Sequence, residues 1–522
     1  MKTILLLVFL LIGVNSQGQN ILISKSIGDR YGPNEPSIMM NPSNPDILVA
    51  GSILNNYHYS ADGGRTWRIG ELTSSFGVWG DPVIDVDSKG NFYYFHLSNL
   101  PEGNGWIDRI VCQKSTDNGI SWSNGSFTGL NGSKNQDKQW SVIDRSNDNI
   151  YVTWTQFDDY GSEDPTCASV ILFSKSLDGG ESWSSPMQIN KFVGDCMDGD
   201  DAVGGAVPAV GLNGEIYVTW AGPKGLVFNR SLDKGESWLQ EEILIDTMPG
   251  GWDQNISGIS RANGFPITKC DLSGGPNHGT IYVNWSDQRN GEHNTDIWFS
   301  KSTDGGNTWS SRSKVNKDNS NRQQFFTWMD IDQTNGNLHF VFYDRRNYSG
   351  DQTDVYLAFS NNGGRSFKNK RISESPFLPN KDIFFGDYTN ITVHNNIIRP
   401  IWTRLHDGEL SIWTDVTSFN GTPSTYKNSN SKKIETVKLY PNPMVDKKSY
   451  ISFKLRESSI VNLEVFDSRG NMVQNILDLV EMGSGKYSIP IELSELNLRA
   501  GRYYCKLSIN GESKTLKTII IE

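Results

Sequence analysis

The chain has 522 residues and a formal net charge of −11, with 48 Lys and Arg against 59 Asp and Glu. This acidic balance, with no basic run, argues against general nucleic-acid binding, which needs a cationic surface to displace counterions. The length predicts about two to four domains, unless one β-barrel or propeller takes several hundred residues. With 51 Gly and 16 Trp, the composition favours many short strands joined by tight turns.

The first residues have the pattern of an export signal. Lys2 precedes the apolar run 4–14, and Val14 and Ser16 occupy the −3 and −1 positions of a cleavage site. We therefore predict a signal peptide over residues 1–16. No later segment reaches the roughly 20 apolar residues that a membrane-spanning helix needs, so we expect no membrane span.

One eight-residue motif recurs along most of the chain. The motif S-x-D-x-G-x-x-W begins at Ser60, Ser115, Ser176, Ser231 and Ser302, with a degenerate copy at Ser360. The copies are 55 to 71 residues apart, a period typical of propellers and solenoids. In each copy the Asp can accept backbone N–H bonds, the Gly can adopt a positive φ, and the Trp can cover the hairpin. The motif therefore predicts a stapled turn.

Two further patterns recur between these motifs. Strands of alternating β-branched and aromatic residues are predicted at 92–96, 150–154, 216–220, 281–285, 338–342 and 398–402. Short segments that we call the mouth segments open successive units at 34–36, 80–82, 138–140, 206–208, 264–266, 326–328 and 386–388. Seven mouth segments predict an all-β fold with a seven-bladed β-propeller over residues 17–417, six blades being the alternative. The segment 21–27 is predicted to complete the last blade and close the ring.

The recurring motif resembles the Asp box of sialidase-like propellers over roughly residues 17–417. The resemblance implies that the boxes are structural and lie away from the active face, which leaves no catalytic role for Asp62, Asp117, Asp178, Asp233 and Asp304. Sialidases are six-bladed and open with an Arg-Ile-Pro motif that holds the substrate carboxylate. The matching segment here is Asn34-Glu35-Pro36, which lacks the arginine.

A polar linker is predicted at 418–435, and a small C-terminal β-sandwich at 436–522. The second domain resembles the C-terminal sorting domain of the type IX secretion system of Bacteroidota, through the segments 440–443 (Tyr-Pro-Asn-Pro) and 501–504 (Gly-Arg-Tyr-Tyr) and through Lys514. The resemblance implies passage through the periplasm, contact with the type IX machinery, and a protein that is secreted or attached to the cell surface. We expect a monomer.

Arginines collect near the predicted mouth in blades 5 to 7. They are Arg261, Arg289, Arg345, Arg346 and Arg404. Because a guanidinium binds carboxylate or sulfate through a paired fork, the group predicts a site for an acidic sugar. The alternative is that the arginines pair with neighbouring aspartates, namely Asp287, Asp344 and Asp407, and brace loops.

Several other residues complete the predicted site. The expected catalytic residues are Tyr388, Asp387, Tyr343 and His406, and the expected substrate-binding residues besides the arginines are Trp140, Trp328, Asp81 and Glu35. The tryptophans have a core role as their alternative, and Asp81 has a turn-capping role.

One acidic loop and one pair of cysteines carry further expectations. Asp195, Asp198, Asp200 and Asp201 lie within a short loop, and closely spaced oxygens suit a structural Ca²⁺, although a hydrogen-bonded loop is the alternative. No cofactor is required by the predicted chemistry. Cys167 and Cys196 are expected on one face of the propeller, where they form a disulfide or remain buried thiols.

These residues are compatible with three functions. Elimination from a uronic-acid-containing glycan, sulfated or not, needs a cationic clamp, a base and a route to protonate the leaving oxygen. The architecture and residue types resemble those of seven-bladed polysaccharide lyases such as the ulvan lyases. We therefore expect a lyase or dehydratase acting on an acidic polysaccharide or oligosaccharide. The alternatives are a sialidase-like exo-glycosidase and a propeller that only binds glycan or protein.

Overall fold

In the computed structural model, the described residues are 20–26, 32–100, 105–416 and 437–520, with short gaps in the last range at 446, 456–458, 469–471, 494–495, 497, 499 and 510–511. The predicted signal peptide (1–16) and linker (418–435) lie outside the described residues. The chain divides into two compact units, Met1–Gly421 and Thr422–Glu522. No helix long and apolar enough to cross a membrane occurs among the described residues.

The first unit begins with β1 (Asn20–Lys25) and continues as seven four-stranded sheets. Blade 1 contains β2 (Ser37–Met40), β3 (Leu48–Ser52), β4 (Asn56–Ser60) and β5 (Arg68–Glu71). Blade 2 contains β6 (Val83–Val86), β7 (Phe92–Asn99), β8 (Trp106–Ser115) and β9 (Ser126–Thr128). Blade 3 contains β10 (Asn135–Asp144), β11 (Asn149–Phe157), β12 (Ser169–Ser176) and β13 (Met187–Gln188).

The remaining four blades repeat the same antiparallel order. Blade 4 contains β14 (Gly204–Val210), β15 (Ile216–Gly222), β16 (Gly225–Ser231) and β17 (Ile243–Asp246). Blade 5 contains β18 (Ile267–Cys270), β19 (Ile281–Asp287), β20 (Asp296–Ser302) and β21 (Ser313–Lys314). Blade 6 contains β22 (Gln324–Asp332), β23 (Asn337–Asp344), β24 (Asp354–Ser360) and β25 (Lys368–Arg371). Blade 7 contains β26 (Asn390–His394), β27 (Ile397–His406) and β28 (Glu409–Asp415), with β1 as its fourth strand.

The blades form a closed ring. The first strand of each blade contacts the first strand of the next, and β26 of blade 7 contacts β2 of blade 1. The N-terminal strand pairs antiparallel with β28, with Ile21 opposite Thr414. The predicted seven-bladed propeller is therefore confirmed, and six blades are excluded. Closure through the N-terminal strand gives the last blade the same four strands as the others.

The second strands build much of the core between the blades. Trp154, Trp220, Trp285 and Trp402 occupy the same position in the second strands of four blades, and each is at most 1% exposed. A buried Trp removes about 150–250 Å² from water, which favours folding by roughly 4–6 kcal/mol before entropy is counted. The recurring sequence pattern of these strands is thus a packing pattern.

The repeated S-x-D-x-G-x-x-W motifs form the turns between the third and fourth strands. In the copy at 176–183, the Ser176 hydroxyl donates to Asp178 Oδ1 at 2.7 Å and accepts from the Gly180 N–H at 2.9 Å. Asp178 Oδ1 also accepts from the Ser182 N–H at 3.0 Å. The corresponding bonds occur in the other four full copies, and the copy at Ser360 keeps the geometry with Asn362 in place of Asp. Because antiparallel strands alternate in direction, these turns lie at the opposite end of the blades from the mouth segments.

The second unit is a separate all-β domain. Its strands are β29 (Lys438–Val445), β30 (Lys448–Leu455), β31 (Ser459–Phe466), β32 (Met472–Met482), β33 (Gly485–Glu492), β34 (Gly501–Ile509) and β35 (Glu512–Ile520). They form one sheet in the order β32-β31-β34-β35-β29-β30-β33 around a common apolar core that includes Ile451, Leu463 and Leu507. β29 pairs with β30 on one side and with β35 on the other. The predicted β-sandwich is therefore a single sheet wrapped around its core.

Candidate functional site

The mouth segments of blades 1, 2 and 3 place a charged residue at an equivalent and unusual backbone position. Glu35, Asp81 and Lys138 have φ angles of 50°, 51° and 53°. Glu35 and Asp81 lie two residues before β2 and β6, and Lys138 lies within β10, where the strand register shifts between Asp137 and Trp140. Positive φ is disfavoured for residues with a Cβ and persists where the surrounding structure enforces it, most often at functional sites. Phe326 in the mouth segment of blade 6 has a similar φ of 49°, so this conformation is a feature of the mouth segments, and charge distinguishes Glu35, Asp81 and Lys138.

Asp387, from the mouth segment of blade 7, lies at the centre of an ion-pair cluster. The Lys138 ammonium is 2.6 Å from Asp387 Oδ2 and 3.3 Å from Asp81 Oδ2. Arg261 donates to Asp387 from Nε at 3.0 Å and from Nη2. The side-chain amide of Asn263 donates to the Asp387 carbonyl at 2.9 Å. Several segments of the ring thus converge on one residue.

A second carboxylate completes the pairing of Arg261. Arg261 Nη1 is 3.0 Å from Asp198 Oδ2, and the same oxygen accepts from the Tyr160 hydroxyl at 2.7 Å. All three guanidinium nitrogens are therefore engaged by carboxylates. Arg261 organises this site and, in this arrangement, presents no free fork to an anionic ligand.

The cluster drives the pKa values of two neighbouring carboxyl groups in opposite directions. Burial, assisted by the nearby negative charges of Asp81 and Asp387, raises the pKa of Glu35 well above its ordinary value of 4.5. Burial would also raise the pKa of Asp387, but Arg261 and Lys138 outweigh it and hold that pKa far below its usual value. The surroundings therefore favour the protonated form of Glu35 and the ionised form of Asp387.

Glu35 has a side-chain oxygen available for further bonding. Its side chain is buried, with the residue 2% exposed, and Oε1 has no hydrogen-bond partner among the described residues. Unsatisfied buried polar atoms are rare and require an explanation such as a catalytic role or a ligand. Asp137, bonded to the backbone of Lys138, is a further buried carboxyl whose pKa burial raises to about 7.

These groups lie along a cavity of about 240 Å³ at the front of the propeller. The cavity is lined by Glu35, Asp81, Lys138 and Arg261 and by an aromatic rim. That rim consists of Trp79, Trp106 and Tyr160. A concave surface with a few convergent polar groups and perturbed pKa values has the character of a small-molecule site.

Three predicted site residues, Trp140, Trp328 and Tyr388, form a buried aromatic cluster. The rings of Trp140 and Trp328 are 4.3 Å apart, and Tyr388 packs edge-on against Trp140 at 5.0 Å. All three side chains are buried. The Tyr388 hydroxyl has no partner among the described residues, and burial raises its pKa well above 10. Tyr388 is thus uncharged at neutral pH, and the tryptophans act as core residues, their alternative role.

The predicted convergence of the arginines is wrong. Arg289 binds Asp287 and, at 2.8 Å, Asp246. Arg346 donates to Asp344 Oδ2 from Nε at 2.9 Å and from Nη2 at 2.6 Å. The alternative interpretation, in which an arginine braces its own loop through a neighbouring aspartate, therefore holds for both residues.

The other two arginines of blades 6 and 7 are also structural. Arg345 is fully buried and donates to the Ser257 carbonyl at 2.7 Å, to Gln323 Oε1 at 3.0 Å and to Thr353 Oγ1 at 3.1 Å. Arg404 is buried over the Trp413 ring at 5.2 Å. Neither lines the front cavity. Of the predicted group, only Arg261 reaches it.

Two predicted proton carriers lie away from the site. Tyr343 is fully buried among aromatic rings and donates to the Thr403 carbonyl at 2.6 Å, and burial raises its pKa well above 10. His406, at the end of β27, lies 3.5 Å from Asp407 and packs against Trp413. Their predicted catalytic roles are therefore withdrawn.

The acidic loop at 195–201 does not gather its carboxylates. Asp198 binds Arg261 and Tyr160, whereas Asp200 accepts from the Asp253 N–H at 2.7 Å and Asp195 accepts from the Met197 N–H at 3.2 Å. No group of three or more His, Cys, Asp or Glu side chains suited to a metal occurs in the described part of the chain. The carboxylates of this loop, including Asp201, therefore do not assemble the predicted calcium site.

The two predicted cysteines join loops that reach the cavity. The Cys167 and Cys196 sulfurs are 2.06 Å apart in a disulfide. This bond ties the loop carrying Tyr160 to the loop carrying Asp198, and the Gly161 N–H also donates to the Cys196 carbonyl at 2.8 Å. The disulfide thus holds the aromatic rim beside the charge cluster.

Sequence reasoning missed the roles of five residues: Lys138, Asp137, Trp106, Tyr160 and Asn263. For Lys138 a signal was present, because it is a charged residue of a mouth segment, as Glu35 and Asp81 are. Tyr160 and Asn263 lie in loops without a repeated pattern. Their roles arise from contacts between blades.

Comparison with known proteins identifies the second unit. Residues 438–522 match the family described as the secretion system C-terminal sorting domain. This domain indicates type IX secretion, so the protein is secreted or held at the cell surface. No curated protein matches the chain.

Solved structures resemble the propeller at low identity. An ulvan lyase from a polysaccharide lyase family is 13% identical with a TM-score of 0.44, and the match covers 76% of this chain and 95% of that chain. A mutant of the NanB sialidase of Streptococcus pneumoniae is 10% identical with a TM-score of 0.41, covering 71% and 83%. A mutant α-L-arabinofuranosidase of Fusarium graminearum is 13% identical with a TM-score of 0.43, covering 66% and 97%. At these values the matches assign no activity to this chain.

Proposed function

We propose that this protein is an extracellular carbohydrate-active enzyme that cleaves glycosidic bonds at the front cavity, with Glu35 as the proton donor. The observation that carries the proposal is the buried Glu35 carboxyl, whose pKa burial raises well above 4.5 and whose Oε1 has no partner among the described residues, at the edge of a cavity that Asp81 also lines. A buried carboxyl with a raised pKa beside a second carboxyl is the usual arrangement for a general acid and its partner in glycoside cleavage.

In the proposed reaction, Glu35 protonates the glycosidic oxygen as the bond from that oxygen to the anomeric carbon breaks. Asp81, which lines the same cavity, stabilises the positive charge that develops on the sugar ring or directs water to it. Water supplies the hydroxyl group of the product, and its other proton returns Glu35 to the acid form. Asp387 stays ionised and fixes Lys138 and Arg261 in place.

The charge of the cavity favours hydrolysis of a neutral or amino sugar over elimination from a uronate. Its two cations, Lys138 and Arg261, are each bound to two carboxylates. An incoming carboxylate or sulfate would have to displace Asp81, Asp387 or Asp198 from these pairs. Elimination is the second candidate, because Lys138 and Arg261 are cations at the mouth. Its product, an unsaturated uronate, distinguishes it from hydrolysis.

The test is incubation with laminarin, xylan, arabinan, chitosan, alginate and hyaluronan, with detection of new reducing ends and of the ultraviolet absorbance of unsaturated uronates. The proposal predicts reducing ends without that absorbance. It also predicts that Glu35→Gln lowers turnover by about 10²- to 10⁴-fold, the usual contribution of a general acid.

The control is Glu181→Gln, on an exposed turn at the opposite end of blade 3, which should retain full activity. Full activity of Glu35→Gln would overturn the role of Glu35. An absorbance band in place of simple hydrolysis would favour elimination. If no glycan of the panel is cleaved, the proposed enzyme activity is overturned and a propeller that only binds its ligand is favoured.

A further inference from the structure

The aromatic rim of the front cavity is built from two blades and is unusually exposed. Trp79 and Trp106 are 36% and 42% exposed. Trp79 immediately precedes the mouth segment of blade 2, Trp106 begins β8 of the same blade, and Tyr160 lies between β11 and β12 of blade 3. Single exposed apolar residues are common, but adjoining exposed aromatic rings beside a cavity are typical of a ligand-binding surface.

The rim is held in a fixed arrangement. Trp79 and Trp106 meet edge-to-face at 6.4 Å, and Trp106 and Tyr160 do so at 5.8 Å. The Asn135 side chain accepts from the Tyr160 N–H at 3.0 Å and donates to the Trp106 carbonyl at 3.4 Å. The Tyr160 hydroxyl is bound to Asp198, which is bound in turn to Arg261. The rings therefore need little ordering when a ligand arrives.

We infer that Trp79, Trp106 and Tyr160 form a subsite that stacks on the sugar unit next to the bond being cleaved, so that the substrate is a chain of at least two sugars. This inference rests on the proposed function for its catalytic part. A pyranose ring presents C–H groups on its face, and an indole buries that face while the sugar hydroxyls remain at the polar edge of the cavity. Glu35 and Asp81, which line the same cavity, supply that edge.

The inference is tested with Trp106→Ala and Trp106→Phe, and with Phe127→Ala as the matched control. Phe127 is 37% exposed on the outermost strand of the same blade and does not line the cavity. Activity is measured on the polysaccharide that the wild type cleaves and on the 4-nitrophenyl monoglycoside of the same sugar. Binding is measured by affinity electrophoresis in gels containing each polysaccharide of the panel.

The expected result is that Trp106→Ala lowers kcat/KM for the polysaccharide by about 3- to 10-fold more than for the monoglycoside, while Trp106→Phe restores part of the loss and Phe127→Ala has no effect. Equal effects on both substrates, with the wild type active, would overturn the subsite and leave the proposed function intact. If the wild type cleaves no glycan but is retarded in a gel, and Trp106→Ala abolishes that retardation, the subsite is supported and the proposed function is overturned. Neither cleavage nor retardation would overturn both.

Discussion

Lys138 and Asp387 are separated by 249 positions in the chain, yet the ammonium of one lies 2.6 Å from the carboxylate of the other. The pair joins the mouth segments of blades 3 and 7, and both side chains are buried. Asp387 also forms an ion pair with Arg261, so Lys138 and Arg261 share this carboxylate. The site therefore depends on closure of the ring.

The first prediction concerns Asp387. Replacement by Asn removes the negative charge that compensates Lys138 and Arg261, and loss of one partner of a buried ion pair usually destabilises a protein by about 3–5 kcal/mol. We expect Asp387→Asn to lower the free energy of unfolding by about that amount in denaturant titrations. The control is Asp382→Asn, at an exposed position of the same loop. A loss for Asp387→Asn no larger than that of the control would contradict the role of the ion pair.

The second prediction concerns the pH dependence of stability. Burial raises the pKa of Glu35 in the folded state above 4.5, so the unfolded state releases this proton first as the pH rises. The stabilisation from protonated Glu35 is complete below pH 4.5 and is lost as the pH rises through the folded-state pKa. We expect the stability of Glu35→Gln relative to the wild type to increase over that range. A pH-independent difference in Tm would contradict the raised pKa.

The third prediction concerns Arg345, which sequence reasoning assigned to substrate binding. Arg345→Met leaves the Ser257 carbonyl and the Gln323 and Thr353 side chains without a buried donor, which should cost about 3 kcal/mol or more of stability. Below its unfolding transition, the variant should keep the kcat/KM of the wild type. Normal stability with abolished turnover would return Arg345 to the active site.

The fourth prediction concerns the disulfide. Cys167 and Cys196 are 29 positions apart, and closing a loop of this length by a disulfide stabilises a fold by about 3–4 kcal/mol through chain entropy. We expect the double variant Cys167→Ser, Cys196→Ser to unfold at a lower temperature and to bind glycan less well, because Tyr160 and Asp198 lose their tie. Reductant should lower the Tm of the wild type and leave that of the double variant unchanged. Equal sensitivity of both proteins would contradict the assignment.

Repetition in the sequence predicted the scaffold. Each repeated pattern has a local physical cause. The motifs at 60–67 and 176–183 form stapled turns, and the strand patterns at 150–154 and 216–220 form buried faces. Because each unit repeats that cause, counting the mouth segments was enough to obtain the number of blades. The strand at the N-terminus followed from the one blade that lacked a fourth strand.

The site could be predicted only in part, because it depends on pairings between blades. Glu35, Asp81 and Asp387 were singled out from their places in the mouth segments, Glu35 and Asp81 as substrate-binding residues and Asp387 as a catalytic one. The prediction that the arginines converge on one anion site failed, because a sequence shows how many cations a region holds but not which aspartates they bind. Arg289 and Arg346 are paired within their own loops, while Arg261 reaches across the ring to Asp387.

The protonation state of Glu35 at neutral pH tests the account most directly. Infrared difference spectroscopy of the wild type against Glu35→Gln at pH 7 should show the carbonyl stretch of a protonated carboxylic acid in the wild type, and its absence from the variant. A carboxylate band in its place would show that Glu35 is ionised and has no proton to donate.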